Sequence, residues 1–232
     1  MSGYVRERKF LGPSVCADLC LDILNHYCLP DPRHPGGTIE SIYYDDHGLT
    51  AYWEKMDGIC YKHKYRIRWY PGTGLLPDGR REAYLEIKNR VVNAREKKRA
   101  LFSVERELLE DADLGDPQLK STLDDNALAA GLRIPGDLVP TVSIRYHRRR
   151  YICPHTGSRV CFDSDLRTGR INGEVIPETG PITSSLVVCE VKSAIHNEWE
   201  WAGSLFRAGL KLSSFSKYGE MVHAIINGGL SQ

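Results

Sequence analysis

The sequence is poor in the features that would place it quickly. Its seven cysteines form no C-x-x-C pair, and Cys16 and Cys20, four apart on an expected helix, have no His or Cys cluster nearby to complete a metal site. Zinc is therefore set aside in favour of reduced, buried thiols. No apolar run approaches the ~20 residues a membrane helix needs. Arg6, Arg8 and Lys9 have no apolar core behind them, so a signal peptide is not expected and the chain reads as cytoplasmic. There is no internal repeat, no low-complexity tract and no interdomain linker, so residues 1–232 are expected to form a single domain. No Ser-His-Asp or Cys-His arrangement suggests a protein nucleophile. Eight histidines without paired spacing read as structural or surface residues.

Net charge is small in total but not locally. The formal net charge is +1, which points neither to nucleic acid nor to a membrane surface. Between Ile59 and Arg99, however, 12 Lys and Arg stand against 4 Asp and Glu, whereas Glu105 to Asp125 holds 8 acidic residues against 2 basic ones. A localised basic excess calls for a compact anion or an anionic chain.

Periodicity predicts strands at 4–11, 38–44, 59–70, 82–88, 97–105, 140–152, 158–166, 169–176 and 185–193. Helices are expected after Pro13, near 49–55, over 106–131, and near 197–207 and 216–227. Strands in consecutive runs favour an antiparallel α+β sheet. The segment YKHKYRIRWY, residues 61–70, puts Lys62, Lys64, Arg66 and Arg68 on one face. EAYLEIK adds Glu82, Glu86 and Lys88, KKRALFSVE adds Lys97 and Arg99, and LVVCEVKS sets Glu190 and Lys192 among valines. CFDSDLR pairs Asp163 with Asp165, and RYHRRRY contributes Arg145, Arg148, Arg149 and Arg150. For one strand, a solvated outer face with salt bridges suffices. For five, closure into an antiparallel β-barrel with a charged interior and flanking helices explains the pattern better.

A polyanion relieves the repulsion among these cations, Arg supplying forks and Lys compact charge. Carboxylates in a cationic interior are tolerable beside phosphate if a divalent ion sits between. Glu86 and Glu190 are therefore candidate ligands of Mn²⁺ or Mg²⁺, with salt bridges to Lys88 and Lys192 as the ordinary alternative. Ser216 is placed to cap the last helix, putting Lys217 in its first turn, where a bound anion would offset the unfavourable dipole.

RERKF, IYYDD, YRIRWY, YLEIK, KKR, RYHRR, CFDSDL, VCEVKS and FSKYG occur in the order found in the VTC domain. This is the polyphosphate polymerase domain of the triphosphate tunnel metalloenzyme (CYTH-like) superfamily, which the chain resembles from about Tyr4 to Gly228. The resemblance implies a closed tunnel with flanking helices, in which Lys9, Arg66, Arg68, Lys88, Lys97, Arg99 and Arg148 hold phosphate. It further implies that Glu190 holds Mn²⁺ or Mg²⁺ and that Lys217 touches phosphate; Lys64, on the opening strand's cationic face, joins the phosphate-binding set. Where tunnel triphosphatases begin Glu-x-Glu-x-Lys, this chain reads Val5-Arg6-Glu7-Arg8-Lys9, a departure that suits the polymerase branch. The implied partners are ATP and inorganic polyphosphate, without nucleic acid or direct membrane insertion. A tunnel triphosphatase or polyphosphatase, or a non-catalytic polyphosphate-binding module, stands as the alternative. A further expectation is that changing Arg66 and Arg68 together to Ala abolishes triphosphate binding and leaves the fold intact.

Overall fold

A computed structural model describes residues 6–91, 94–193 and 200–228. Val5, with the departure it carries, and positions 197–199 of the fifth expected helix lie outside the described residues. The chain divides into two compact units that are interleaved in sequence. The first comprises Met1–Thr38, Tyr146–Leu166 and Thr183–Phe215; the second comprises Ile39–Arg145, Arg167–Ile182 and Ser216–Gln232.

In the first unit, strand β1 (Arg6–Pro13) runs into a 3₁₀ turn (Ser14–Cys16) and helix α1 (Ala17–Tyr27). Pro13 supplies the extended N-terminal residue of that turn. Helix α1 buries Cys20, Leu21 and Leu24, a helical spacing, in a core with Phe10, Phe162, Val187, Cys189, Val191 and Leu205. Short strand β2 (Leu29–Pro30) pairs with β7 (Val139–Ile152). Strand β9 (Leu186–Ser193) lies antiparallel between β1 and β8 (Arg159–Ile171), aligning Lys9 with Glu190 and Cys161 with Glu190. Helix α5 (Glu200–Arg207) and strand β10 (Lys211–Leu212) follow.

The second unit holds β3 (Gly36–Asp45, from Ile39 on), helix α2 (Thr50–Met56), and the meander β4 (Tyr61–Trp69), β5 (Arg80–Val91) and β6 (Ala94–Glu105). Helices α3 (Arg106–Glu110) and α4 (Pro117–Ala129) follow it, and α6 (Lys217–Ile226) closes it. Asp116 caps α4 by accepting from the Gln118 N–H at 2.8 Å, with Pro117 at the first position. Helix α4 then lays Leu119, Leu123 and Ala127 on Ile42, Ile67, Trp69, Leu85 and Ile87. These sheet residues are the apolar half of the period-two alternation, so the cations between them point to the opposite side. Between β4 and β5 the chain turns through Gly79, whose φ of 83° only glycine adopts without strain.

Two expectations are corrected. The predicted strands 158–166 and 169–176 merge into one strand, β8, with Asp165 at φ 53° inside it; it ends at Ile171, and 172–176 form a turn instead. The closed barrel is also not what the pairing gives. Hydrogen bonds run in the order β10-β1-β9-β8-β7-β3-β4-β5-β6, with β2 added on β7. Among the described residues, terminal strands β10 and β6 do not pair, and the sheet is open. Strand β10 is only two exposed residues long, too short a ladder to close a barrel of staggered strands. The antiparallel α+β reading otherwise holds. No helix among the described residues is long and apolar enough to cross a membrane.

Candidate functional site

The register of β4, β5 and β6 gathers one set of predicted residues. Arg66 is paired with Glu86 on the neighbouring strand, and Glu86 with Arg99 on the next. Lys64, Lys88 and Lys97 form the adjacent row. Glu86 is 2% exposed and is the common counter-ion of four cations. Arg66 donates Nε and Nη2 to Glu86 Oε2, the Nε bond being 2.8 Å. Arg68 Nη1 lies 3.6 Å from the same oxygen, while Lys97 Nζ at 2.8 Å and Arg99 Nε at 3.6 Å face Oε1. Burial pushes the Glu86 carboxyl up, but Arg66, Arg68 and Lys97 more than offset this and hold it far below the usual carboxylate range.

Both oxygens of Glu86 face cations, Arg66 and Arg68 on one and Lys97 and Arg99 on the other, so in this arrangement the carboxylate is engaged as a counter-ion. It also sets a stability cost against the expectation that losing Arg66 and Arg68 leaves the fold intact, because a carboxylate this buried would lose its main partners. Arg66 uses its third nitrogen, Nη1, on the Tyr43 hydroxyl at 2.9 Å, and Arg68 Nε donates to Ser41 Oγ at 3.2 Å. The side chains of Lys97 and Arg99 remain 49% and 39% exposed, and Arg99 stacks 3.5 Å over the Tyr84 ring. Lys97, Arg99 and Lys88 are thus the accessible cations of this face, with Arg66 and Arg68 buried beneath them.

Ser216 caps α6 as expected, accepting from the Gly219 N–H at 3.2 Å, and also accepts from Lys64 Nζ at 2.7 Å. Lys64 is thus seated at the start of that helix beside half-buried Lys217. Burial pushes the Tyr43 phenol up, but Arg66, Arg68 and Lys217 together draw it below its ordinary value. Tyr43, stacked on Tyr218 at 5.3 Å, was missed by the sequence reading. Its only signal was sharing a strand parity with Ser41, which becomes informative once β3 is known to pair with β4.

The first unit holds the other predicted residues in two groups. Glu190, 12% exposed, meets Lys192 Nζ at 2.8 Å and Lys9 Nζ at 3.8 Å; Lys9 also lies 3.4 Å from Glu7 Oε1 and donates to the Phe215 carbonyl at 3.1 Å. Burial raises the Glu190 carboxyl, while Lys192, Lys9 and Arg148 outweigh it and keep it low. Two carboxylates, Glu7 and Glu190, thus approach one lysine; among the described residues no group of three or more His, Cys, Asp or Glu is gathered as a metal site. Arg148 is engaged otherwise: it forks onto Asp163 through Nε at 2.6 Å and Nη2 at 2.7 Å. Burial lowers the Arg148 guanidinium, and Asp163 more than restores it.

The Glu86 shift carries a pH dependence. A carboxylate held below its ordinary 4.5 contributes stability that is complete above that value and is lost as pH falls below it. Urea unfolding should therefore show stability falling as pH drops through 4.5, with a shallower slope in Glu86→Gln. Asp45, whose carboxyl burial pushes up despite donation from Tyr218 and the α2 N–H groups, works in the opposite sense in both proteins and cancels from the comparison.

Residues 6–226 match the family model described as the VTC domain. No curated protein matches the chain. Similar solved structures include a provisionally assigned adenylate cyclase from Bacillus halodurans, at 12% identity and a TM-score of 0.45, covering 87% of this chain and 84% of that one. Another, of the same provisional description and from Vibrio parahaemolyticus, has 10% identity and a TM-score of 0.41, covering 90% and 86%.

Proposed function

The chain belongs to the VTC domain family, and from that membership we propose that it is a polyphosphate polymerase transferring the γ-phosphoryl group of ATP onto a phosphate chain. The observation that carries the reading is the convergence of Arg66 and Arg68 from β4, and Lys97 and Arg99 from β6, on the buried carboxylate of Glu86 on β5 between them. One anion against four cations leaves a positive excess on a fixed framework, which suits a ligand whose negative charge repeats along its length.

In the transfer, a terminal oxygen of the acceptor chain forms a bond to the γ-phosphorus while the bond to the β–γ bridging oxygen breaks and ADP leaves. Little covalent work is asked of the protein; positioning and charge neutralisation lower the barrier. Lys97, Arg99 and Lys88 would hold phosphoryl oxygens, and Lys64 and Lys217 would supply further charge from the β4–α6 side. Lys9 keeps its expected phosphate role only by exchanging its present partners. Glu190, with Glu7 beside it, would hold Mn²⁺ or Mg²⁺, which when bound neutralises phosphate charge. The approach of Glu7 and Glu190 to the same lysine supports that assignment.

Incubation with ATP and Mn²⁺, or Mg²⁺, followed by gel electrophoresis of the products tests the proposal. Long phosphate chains are the expected result. Free phosphate alone would make the protein a tunnel-type hydrolase, and tight ATP binding without turnover in either metal would make it a binding module.

A further inference from the structure

Glu40 shares its strand parity with Ile42 and Tyr44, which pack against α4, whereas Ser41 and Tyr43 meet Arg68 and Arg66. On that helix-covered side of the sheet, away from the Glu86 cluster, lies a cavity of about 230 Å³ whose walls include Glu40, Glu110, Ser143, Arg145, Arg167 and Arg170. Every lining residue belongs to the second unit. The volume falls below the ~300–1,000 Å³ of pockets for drug-sized ligands, so an occupant has to be small.

The walls are held in place. Ser143 Oγ accepts from the Arg170 N–H at 2.7 Å, and β7 and β8 meet so closely there that a Cβ on Gly169 would lie 2.5 Å from that oxygen. Arg170 donates Nη1 to the Ala112 carbonyl and Nη2 to the Leu109 carbonyl, which fixes the guanidinium without giving it a counter-ion. Glu110 is already taken by Arg81 Nε at 2.6 Å and Arg106 Nη1 at 3.5 Å. Glu40 meets Arg145 Nη1 through Oε1 alone, at 3.0 Å. Its Oε2, the other Arg145 nitrogens and exposed Arg167 have no partner among the described residues. Burial lowers the Arg170 guanidinium, and Glu40, Asp111 and Asp113 do not fully restore it. Burial also pushes the Glu40 carboxyl up, beyond what Arg145 offsets. Charges of both signs are thus short of partners around one small space.

The two arginine forks, Arg145 and Arg167, suit an oxyanion. The Glu40 carboxylate can only accept, so the oxyanion beside it has to carry an O–H. Phosphate keeps one at neutral pH, and sulfate, of similar size and shape, has none. We propose that this cavity is a binding site for inorganic phosphate, with Arg145 and Arg167 donating to its oxygens and its hydroxyl donating to Glu40 Oε2. The site is separate from the Glu86 face, and its assignment does not rest on the transfer reaction proposed above.

The test is isothermal titration calorimetry of the full chain with inorganic phosphate, and separately with sulfate, at neutral pH. The cations of the Glu86 face have no means of telling the two apart, so the preference and its response to cavity variants identify the site. Phosphate should bind at least roughly tenfold more tightly than sulfate, the worth of one hydrogen bond to a charged group. Arg167→Ala, at an exposed position whose loss leaves no buried charge unmatched, should weaken phosphate by roughly tenfold or more. Glu40→Gln, whose amide can donate as well as accept, should strengthen sulfate and narrow the preference. Absence of phosphate binding, sulfate bound as tightly as phosphate by the unaltered chain, or phosphate affinity unchanged in Arg167→Ala would each overturn the proposal. The comparison of the two anions needs no variant to fold.

Discussion

Replacing Arg66 and Arg68 together by Ala should destabilise the protein by ~3–5 kcal/mol, the usual cost of breaking a buried charge pair from one side. For a chain of this size that lowers Tm by roughly 6–20 °C. The reason is the residue left behind. Glu86 is 2% exposed, and of its remaining partners Lys97 and Arg99 are half in water and cannot supply the hydrogen bonds Arg66 gave it. Adding Glu86→Gln to the double variant should recover part of the loss, because the uncompensated charge goes with it; the three residues are then coupled rather than additive. Thermal unfolding of the three proteins decides it. A double variant as stable as the parent would mean that Glu86 draws no support from the arginines.

The second large effect is expected at Asp163→Ala, also ~3–5 kcal/mol. Asp163 is 1% exposed at its side chain and takes both arms of the Arg148 fork. Its loss takes the forked hydrogen bonds from a guanidinium whose other neighbours are the Tyr146 ring 5.4 Å away and the charge of Glu190. Arg148→Met combined with Asp163→Ala should be less destabilised than Asp163→Ala alone, since no buried charge is then left unmatched. Urea denaturation of the parent, single and double variants makes the comparison. A double variant worse than the single by the full cost of losing Arg148 would show that the pair is not coupled.

How much of this was legible beforehand follows from what strand periodicity encodes. Alternation reports which side of a strand a residue takes, so Arg66, Arg68, Glu86, Lys97 and Arg99 could be put on charged faces without coordinates. Alternation says nothing of register, and register is what set Glu86 between the cations of β4 and β6. Tyr43 escaped notice because a tyrosine on a strand looks apolar until its hydroxyl meets an arginine. Arg148 was chosen by resemblance alone, and its carboxylate partner 15 residues on lies on another strand. The open sheet could not be read either: closure depends on how the last strands meet, and two-residue β10 leaves no periodic trace. At Gly79 the local chemistry sufficed, whereas the helix expected over 106–131 runs through Pro117, where the chain instead ends α3 and opens α4.

Arg66 spreads three nitrogens over two acceptors, two to Glu86 and one to Tyr43. A lysine there would carry the same formal charge on one nitrogen at the end of a flexible stem and could not reproduce that planar spread. Anyone redesigning this face by counting positive charges would treat the exchange as silent, yet it would empty one acceptor or the other. The position is constrained by shape, and charge comes along with it.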